Sequence, residues 1–222
     1  MIKLVKFVKD GLLAFPVTLL FQPFSKLFLT LSYFNKLSLW VRKNKAILLY
    51  SDFYTPLRNY EKRFQLYRFL LDHFKLKDEP LTYLEYGVAS GASFKWWLQN
   101  NSHQGSQFFG FDTFEGLPEN WGSFYKKGDM SSAIPAVDDN RAQFIKGLFQ
   151  DTLNGFIKKQ KDLLASPKRL VVHMDADLYS ATAFVLPMLY PFLKKDDIIT
   201  FDEFSVPMHE FKAFHEFTSN FY

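Results

Sequence analysis

The feature that most constrains the fold is an alternation of short apolar runs with helical patterns between residues 60 and 217. The apolar runs are short enough to predict strands, and the segments between them repeat apolar residues at helical spacing. Strands that are apolar on both sides need cover on both faces, so the pattern predicts a doubly wound, mostly parallel α/β sheet. The predicted strands are 81–87, 106–114, 142–147, 169–177 and 196–204, and the predicted helices are 60–75, 92–99, 151–165 with Asp151 as N-cap, 180–193 and 209–217.

The first 48 residues differ from the rest of the chain in charge. They carry eight Lys or Arg residues and one Asp, a net charge of +7, whereas the remaining residues include 19 basic and 22 acidic side chains. A nucleic-acid-binding domain would carry its basic charge on the domain itself, so this distribution disfavours nucleic acid as a partner. We predict a helical, aromatic-rich extension over residues 1–55 and a domain over 56–222, with a boundary near 51–56.

The extension is apolar as well as basic. Its uncharged run, residues 11–25, is shorter than the roughly 20 apolar residues of a spanning helix and is interrupted by prolines. A segment of this kind either packs as a lid or a dimer contact, or lies on an anionic membrane surface. We expect a cytoplasmic homo-oligomer, with peripheral membrane contact through residues 1–48 as the alternative.

The first candidate site is the turn after the first predicted strand. In the stretch LEYGVASGASF, residues 84–94, the strand ends near Glu85, and Gly87 and Gly91 precede a helix. Glycines at such a turn allow a ligand to approach the main chain, although the turn alone is common. Asp112 ends the next strand 21 residues after Gly91, at the spacing of a carboxylate that binds a ribose. The two elements together favour a cofactor with an unmodified ribose over a simple loop cap.

The second candidate site lies at the ends of the fourth and fifth predicted strands. Asp175 lies near the end of the fourth strand, and Asp202 and Glu203 end the fifth. Three carboxylates at one rim repel each other unless a cation compensates, so the group favours a metal over solvated loop acids. Oxygen donors and the absence of Cys favour Mg²⁺ or Ca²⁺ over Zn²⁺. His173 shares a strand face with Asp175 and is either a core histidine or a catalytic one.

Five blocks in this order resemble the macrocin-O-methyltransferase family. They are Glu85-x-Gly87-x-x-x-Gly91, Phe111-Asp112-Thr113-Phe114-x-Gly116-Leu117-Pro118, Gly147 with Asp151-Thr152-Leu153, Asp175-x-Asp177-Leu178-Tyr179-Ser180, and Asp202-Glu203. The resemblance covers about residues 80–205. It implies a Rossmann-like, class I S-adenosylmethionine-dependent methyltransferase that uses a metal and acts on sugar hydroxyls.

The resemblance also implies a role for each matching position. The residues that would bind S-adenosylmethionine are Glu85, Gly87, Ser90, Gly91, Asp112 and Thr113. Those that would bind Mg²⁺ are Asp175, Asp202 and Glu203. The metal would chelate adjacent hydroxyls of the acceptor, a sugar or a glycosylated natural product, and lower the pKa of one of them. Asp175 would take the proton, with His173 as the second candidate for the base, while Asp177 would cap the following helix.

Two features depart from the family pattern. Glu203 stands where the family usually has a second Asp, and only 18 residues follow Phe204, where the fold normally adds two more strands. We therefore expect the C-terminal strands to be missing. Two other functions remain open on the sequence: a metal-dependent glycosyltransferase that uses Asp175-x-Asp177, and a catalytically inactive scaffold on a membrane surface.

Overall fold

The computed structural model describes residues 2–15, 17–51, 53, 57 and 59–221. The chain divides into two compact units, residues 1–46 and residues 47–222. Most of the predicted boundary near 51–56 lies outside the described residues.

The first unit is helical, as predicted for the extension. It comprises α1 (Ile2–Ala14), a 3-10 helix (Val17–Phe24) and α2 (Ser25–Asn44). Helix α1 has no buried residue. In the described part of the chain, no single helix has both the length and the apolar character to cross a bilayer. The segments Ile2–Ala14 and Leu19–Asn44 reach that length and composition only as a pair, with a bend of 83° between them.

The second unit contains a five-stranded sheet in the order β3-β2-β1-β4-β5, and every pairing is parallel. Its elements are α3 (Glu61–His73), β1 (Leu81–Tyr86), α4 (Ala92–Asn100), β2 (Gln107–Asp112), β3 (Ala142–Lys146), α5 (Phe149–Lys159), α6 (Lys161–Leu164), β4 (Arg169–Met174), α7 (Tyr179–Leu189), β5 (Ile198–Phe201) and α8 (Glu210–Phe221). The predicted parallel α/β sheet is confirmed. Within the described residues, β5 is the last strand, and α8 follows it.

The alternation of side chains along each strand builds a separate core on each face of the sheet. Tyr83 and Val171 belong to one core, which also contains residues of α3 and α4. Leu84 and Val172, their neighbours in sequence, belong to the other core, which also contains residues of α5, α6 and α7. Both faces are therefore covered, because each strand presents apolar side chains to both sides.

The predicted helix 151–165 differs clearly from the structure in its limits. It begins earlier, at Phe149, and divides into α5 and α6 at Gln160, whose φ of −108° and ψ of 19° leave the helical region. Leu148 is the N-cap, so the prediction that Asp151 occupies this position was wrong. Asp151 lies in the first turn instead, where a negative charge still favours the helix dipole.

The strand order places a natural crevice at the carboxyl ends of the strands. From β1 the chain proceeds to β2 and β3 on one side, and then returns to add β4 and β5 on the other side. Strands β1 and β4 are adjacent, and the connections that leave them diverge at this point. Ligands in open α/β sheets bind in this crevice. The fold therefore predicts a ligand site at the carboxyl ends of β1, β2, β4 and β5.

Candidate functional site

Main-chain hydrogen bonds continue beyond the strands and fix one rim of the sheet. The four bonds run from Gly147 N to Asp112 O (3.0 Å), from Gly87 N to Phe111 O (2.9 Å), from Asp175 N to Tyr86 O (2.9 Å) and from Asp202 N to Met174 O (2.9 Å). Because each bond joins neighbouring strands, Asp112, Gly87, Asp175 and Asp202 follow one another across the rim. The rim therefore brings the predicted cofactor turn and the predicted acidic group together.

A cleft of about 270 Å³ opens along this rim. The predicted site residues that line it are Gly87, Asp112, Thr113, Asp175, Asp202 and Glu203. Four other predicted residues, Glu85, Ser90, Gly91 and His173, are not among the described residues that line it. The cleft is about as large as the smaller ligand pockets of proteins. It therefore joins both candidate sites of the sequence in one chamber for a small molecule.

Gly87 is required because the main chains of β1 and β4 converge at its position. Its φ is +93°, and a Cβ atom there would lie 1.9 Å from the carbonyl oxygen of Asp175. A contact of that length is impossible, and the φ value is also unfavourable for any other residue. Gly87 thus lets the end of the glycine turn lie directly against the residue that begins the acidic group.

Asp112 acts first on the glycine turn itself. Its Oδ2 atom accepts hydrogen bonds from the main-chain N–H groups of Val88 and Ala89, both at 2.8 Å, and its Oδ1 atom accepts from Phe114 N at 2.7 Å. A carboxylate has about four acceptor positions, so one remains on Oδ1. That position could accept a further hydrogen bond from a donor such as a ribose hydroxyl, so the residues fit a nucleoside cofactor by chemical type.

The side chains of Glu85 and His173 lie beneath the rim rather than in the cleft. They are opposite each other in the β1–β4 register, and each is only 1% exposed. Tyr83 donates a hydrogen bond to Glu85 Oε2 at 2.5 Å. Both ring nitrogens of His173 are engaged, Nε2 with the Tyr67 hydroxyl at 3.0 Å and Nδ1 with the Thr200 hydroxyl at 2.8 Å. His173 is therefore a hydrogen-bonded interior residue that supports the rim from below.

Burial raises the pKa of Glu85 from its ordinary value of 4.5 to about 8, a rise that nearby His173 and the Tyr83 hydroxyl partly oppose. For His173, burial lowers the pKa, but the interaction with Asp175 and the other acidic groups around the ring outweighs it and the net pKa is raised. Near neutral pH, Glu85 is thus largely protonated. Hence the floor of the site contains an acid held neutral by its surroundings.

The raised pKa of Glu85 predicts that stability falls as pH rises. Because the folded chain binds this proton more tightly than the unfolded chain does, the free energy of unfolding should decrease from about pH 4.5 to above pH 8. One pKa unit corresponds to about 1.4 kcal/mol, so the Glu85 contribution is a few kcal/mol. We expect Glu85→Gln to reduce this slope in urea unfolding measured across the pH range. The exposed control Glu79→Gln should keep the wild-type slope, and equal slopes for all three proteins would contradict the prediction.

The acidic group at the rim has the donors of a small metal site. Ligand atoms of His173, Asp175 and Asp202 all lie within 4.8 Å of one another. The imidazole nitrogens are already hydrogen-bonded, which leaves the two aspartates as the available donors of this group. Glu203 is not in this group, although it lines the same cleft. Carboxylate oxygens are the donors that Mg²⁺ prefers, so the residues fit such an ion by chemical type.

Arg63, on α3, pairs with both aspartates. Its Nη2 atom lies 2.8 Å from Asp202 Oδ2, and its Nη1 atom lies 3.4 Å from Asp175 Oδ2. Burial and the charge of Asp175 raise the pKa of Asp202 to about 6, while Arg63 opposes this rise. The guanidinium therefore supplies the positive charge that the carboxylates need in this structure.

Sequence reasoning did not identify two residues that shape the site, and it gave a third a different role. Arg63 and Tyr67 belong to α3, which had been predicted only as an amphipathic helix. Their four-residue spacing, which puts a cation and a hydroxyl on one helix face, was the available signal. Asp177, predicted to cap the next helix, lines the cleft with a φ of +58°, while Leu178 is the N-cap of α7.

Two of the solved structures that resemble the chain are methyltransferases. The crystal structure of CalS11, a calicheamicin methyltransferase, matches with a TM-score of 0.56 and 17% sequence identity, over 83% of this chain and 82% of that one. The structure of the O-methyltransferase NovP matches with a TM-score of 0.49 and 22% identity, over 72% of each chain. The likeness to CalS11 supports the same fold, and a search of curated proteins finds no match.

The family of the chain follows from a sequence model of a protein domain. A model described as a methyltransferase domain matches residues 84–204. These limits run from β1 to the residue after Glu203 and so include the glycine turn, Asp112 and the acidic group. The match covers more than half of the chain, and the chain belongs to this methyltransferase domain family.

Proposed function

We propose that the protein transfers a methyl group from S-adenosylmethionine to a hydroxyl group of a sugar or a glycosylated small molecule. One observation carries the proposal: a single cleft is lined at one end by Gly87 and Asp112 and at the other by Asp175 and Asp202. The first pair suits a nucleoside cofactor, and the second suits a hydroxyl group that must lose a proton. The methyltransferase domain match supports the choice of cofactor.

In this proposal the chain's residues position the reactants. The glycine turn and the remaining acceptor position of Asp112 hold the adenosine end of the cofactor, and Asp175, Asp202 and Glu203 hold a divalent ion such as Mg²⁺. When bound, the cofactor supplies an activated methyl group and the ion makes an acceptor hydroxyl more acidic. Asp175, next to Gly87 on the rim, takes the proton. His173, with Nε2 3.7 Å from Asp175 Oδ2, orients that carboxylate from below.

A stacked aromatic pair supports a sugar as the acceptor. Trp121 and Tyr125 have ring centroids 5.0 Å apart and an angle of 17° between their planes, and both line the cleft. Aromatic faces of this kind suit the C–H faces of a sugar ring. The resemblance to the macrocin-O-methyltransferase family points to the same class of acceptor.

Calorimetry with S-adenosylhomocysteine tests the cofactor part of this proposal. We expect binding without added metal, and we expect Asp112→Asn to weaken it while Asp162→Asn, an exposed control on α6, leaves it unchanged. Binding of a nucleotide sugar that requires metal, without any binding of S-adenosylhomocysteine, would instead support the glycosyltransferase alternative. Incubation of cell extract with labelled methyl donor would then identify the methylated acceptor.

For the first unit, we propose association with the surface of an anionic bilayer. Eighteen large apolar side chains between residues 2 and 39 are exposed in the described structure. The longer segment 1–48, which includes these side chains, carries a net charge of +7. Apolar side chains combined with lysines suit anionic lipid. Two copies of the chain would repel each other through this segment, which makes a dimer contact the weaker alternative.

Flotation with lipid vesicles tests the surface association. The protein should float with vesicles of phosphatidylcholine and phosphatidylglycerol at low salt and much less at high salt or without phosphatidylglycerol. A triple Lys→Gln variant in α1 should lose most of this binding, and a triple Lys→Gln control in the second unit should keep it. The lysines are Lys3, Lys6 and Lys9 in α1, and Lys158, Lys159 and Lys161 in the control. Vesicle binding that is the same at low and high salt, and with and without phosphatidylglycerol, would contradict association with an anionic bilayer surface.

A further inference from the structure

The spacing of two residues on one face of α3 matches the spacing of two residues at the end of β4. Four residues of a helix rise about 6 Å, and two residues of a strand rise about 6.6 Å. Arg63 and Tyr67 therefore meet Asp175 and His173 respectively, at 3.4 Å and 3.0 Å. Tyr67 is only 1% exposed and hydrogen-bonds Ser93 as well. This buried anchor fixes the backbone from which the guanidinium reaches the rim.

We propose that Arg63 is a built-in counter-cation of the acidic rim, and that a divalent ion binds Asp175 and Asp202 only by displacing the guanidinium. The proposal rests on the metal-dependent form of the function given above. In the structure the guanidinium joins the ends of two neighbouring strands, since it pairs with Asp202 on one side and Asp175 on the other. It thus keeps two carboxylates together that would otherwise repel each other.

The distances explain why the guanidinium and the ion exclude each other. An ion such as Mg²⁺ lies about 2.1 Å from its carboxylate oxygens. The Oδ2 atom of Asp202 is already 2.8 Å from Arg63 Nη2. An ion on that oxygen would lie close to a full positive charge in a partly buried place, where the repulsion is strong. The ion therefore takes the position only when the guanidinium leaves it.

The guanidinium also lies near an aromatic ring of the cleft. The ring of Tyr60, one helical turn before Arg63, has its centroid 6.0 Å from the guanidinium carbon. Both residues line the cleft, and the Arg63 side chain is 22% exposed. In the proposed displacement the Arg63 side chain changes its rotamer while the α3 backbone stays in place. Arg63 is accordingly a positioning residue that sets the affinity of the rim for a divalent ion.

Titration calorimetry with Mg²⁺ and with Mn²⁺, without cofactor, tests this role. We expect Arg63→Gln to bind the ions at least about tenfold more tightly than the wild type, because the competing charge is removed. Arg68→Gln removes the same charge from the exposed side of the same helix and should bind like the wild type. Unchanged or weaker ion binding by Arg63→Gln, including the absence of ion binding by every variant, overturns the proposal.

A thermal unfolding experiment on the same variants gives a second readout. In the presence of EDTA, Arg63→Gln should have a lower Tm than Arg68→Gln, and Mg²⁺ should raise the Tm of Arg63→Gln more than that of the wild type. Equal Tm values of Arg63→Gln and Arg68→Gln in EDTA would contradict the role of Arg63 as a counter-cation. Binding of S-adenosylhomocysteine to the same samples separates the two hypotheses: if it is retained while the ion results fail, the methyltransferase proposal survives without Arg63's role.

Discussion

Asp175→Asn is expected to reduce methyl transfer by about a thousandfold or more. The substitution keeps the size of the side chain but removes the group proposed to take the proton, and general base catalysis alone contributes about 10²–10⁴-fold. It also removes one proposed metal ligand, whose loss acts in the same direction. The main-chain bond from Asp175 N to Tyr86 O at 2.9 Å does not depend on the side chain, so the rim should keep its shape.

The measurement is a single-turnover assay with labelled methyl donor, together with calorimetric binding of S-adenosylhomocysteine. Cofactor binding should stay within a few-fold of the wild type, since the side chains of the glycine turn and of Asp112 are unchanged. His173→Gln provides the comparison for the second candidate base, and a smaller loss is expected because the imidazole is 1% exposed. Full activity of Asp175→Asn would show that Asp175 is not the base. A larger loss of activity in His173→Gln than in Asp175→Asn would make His173 the base instead.

Gly87→Ala is expected to have the largest effect on stability, a loss of more than about 3 kcal/mol or failure to fold. The added Cβ atom would lie 1.9 Å from the Asp175 carbonyl oxygen. The clashing atom belongs to the main chain, which cannot move aside as the end of a flexible side chain can. A φ of +93° adds strain of about 1–3 kcal/mol for a residue other than glycine. Separation of the β1 and β4 ends would also disrupt the cleft on both sides of the contact.

Gly155→Ala is the matched control for this experiment. Gly155 lies within α5, and an added Cβ would meet no atom within 4 Å. Alanine in a helix interior is favoured over glycine by about 0.5–1 kcal/mol, so a small gain in stability is expected. Urea unfolding followed by circular dichroism measures both variants. A Gly87→Ala protein as stable as the wild type would show that the close approach of the two main chains is not a feature of the folded protein.

Much of the fold could be predicted because the strands are short and their side chains alternate. The alternation of side chains along β4 places Val171 in one core of the sheet and Val172 and Met174 in the other. The position of the polar residues at the carboxyl ends of the strands followed from the parallel topology. The limits of the helices were less predictable, since the division at Gln160 depends on local backbone angles that the side-chain pattern does not predict.

The candidate site was predictable in its acids but not in their partners. Asp112 was predicted to hold a ribose, and in the structure it first holds the main chain of Val88, Ala89 and Phe114. Glu85 was predicted to line the cofactor and is instead buried against Tyr83. Both outcomes arise because a carboxylate near tightly packed main chain takes the nearest donors, and those donors are known only once the loops are placed.

The sequence by itself determined the parallel sheet, the rim at which its polar residues gather, and the separation of a basic extension from the domain. These properties depend on periodicity and charge along the chain, which are local and can be counted. Only the tertiary structure decided that Arg63 pairs with Asp175, 112 positions away in the chain. That contact depends on the register of α3 against β4, and no spacing within either element specifies it.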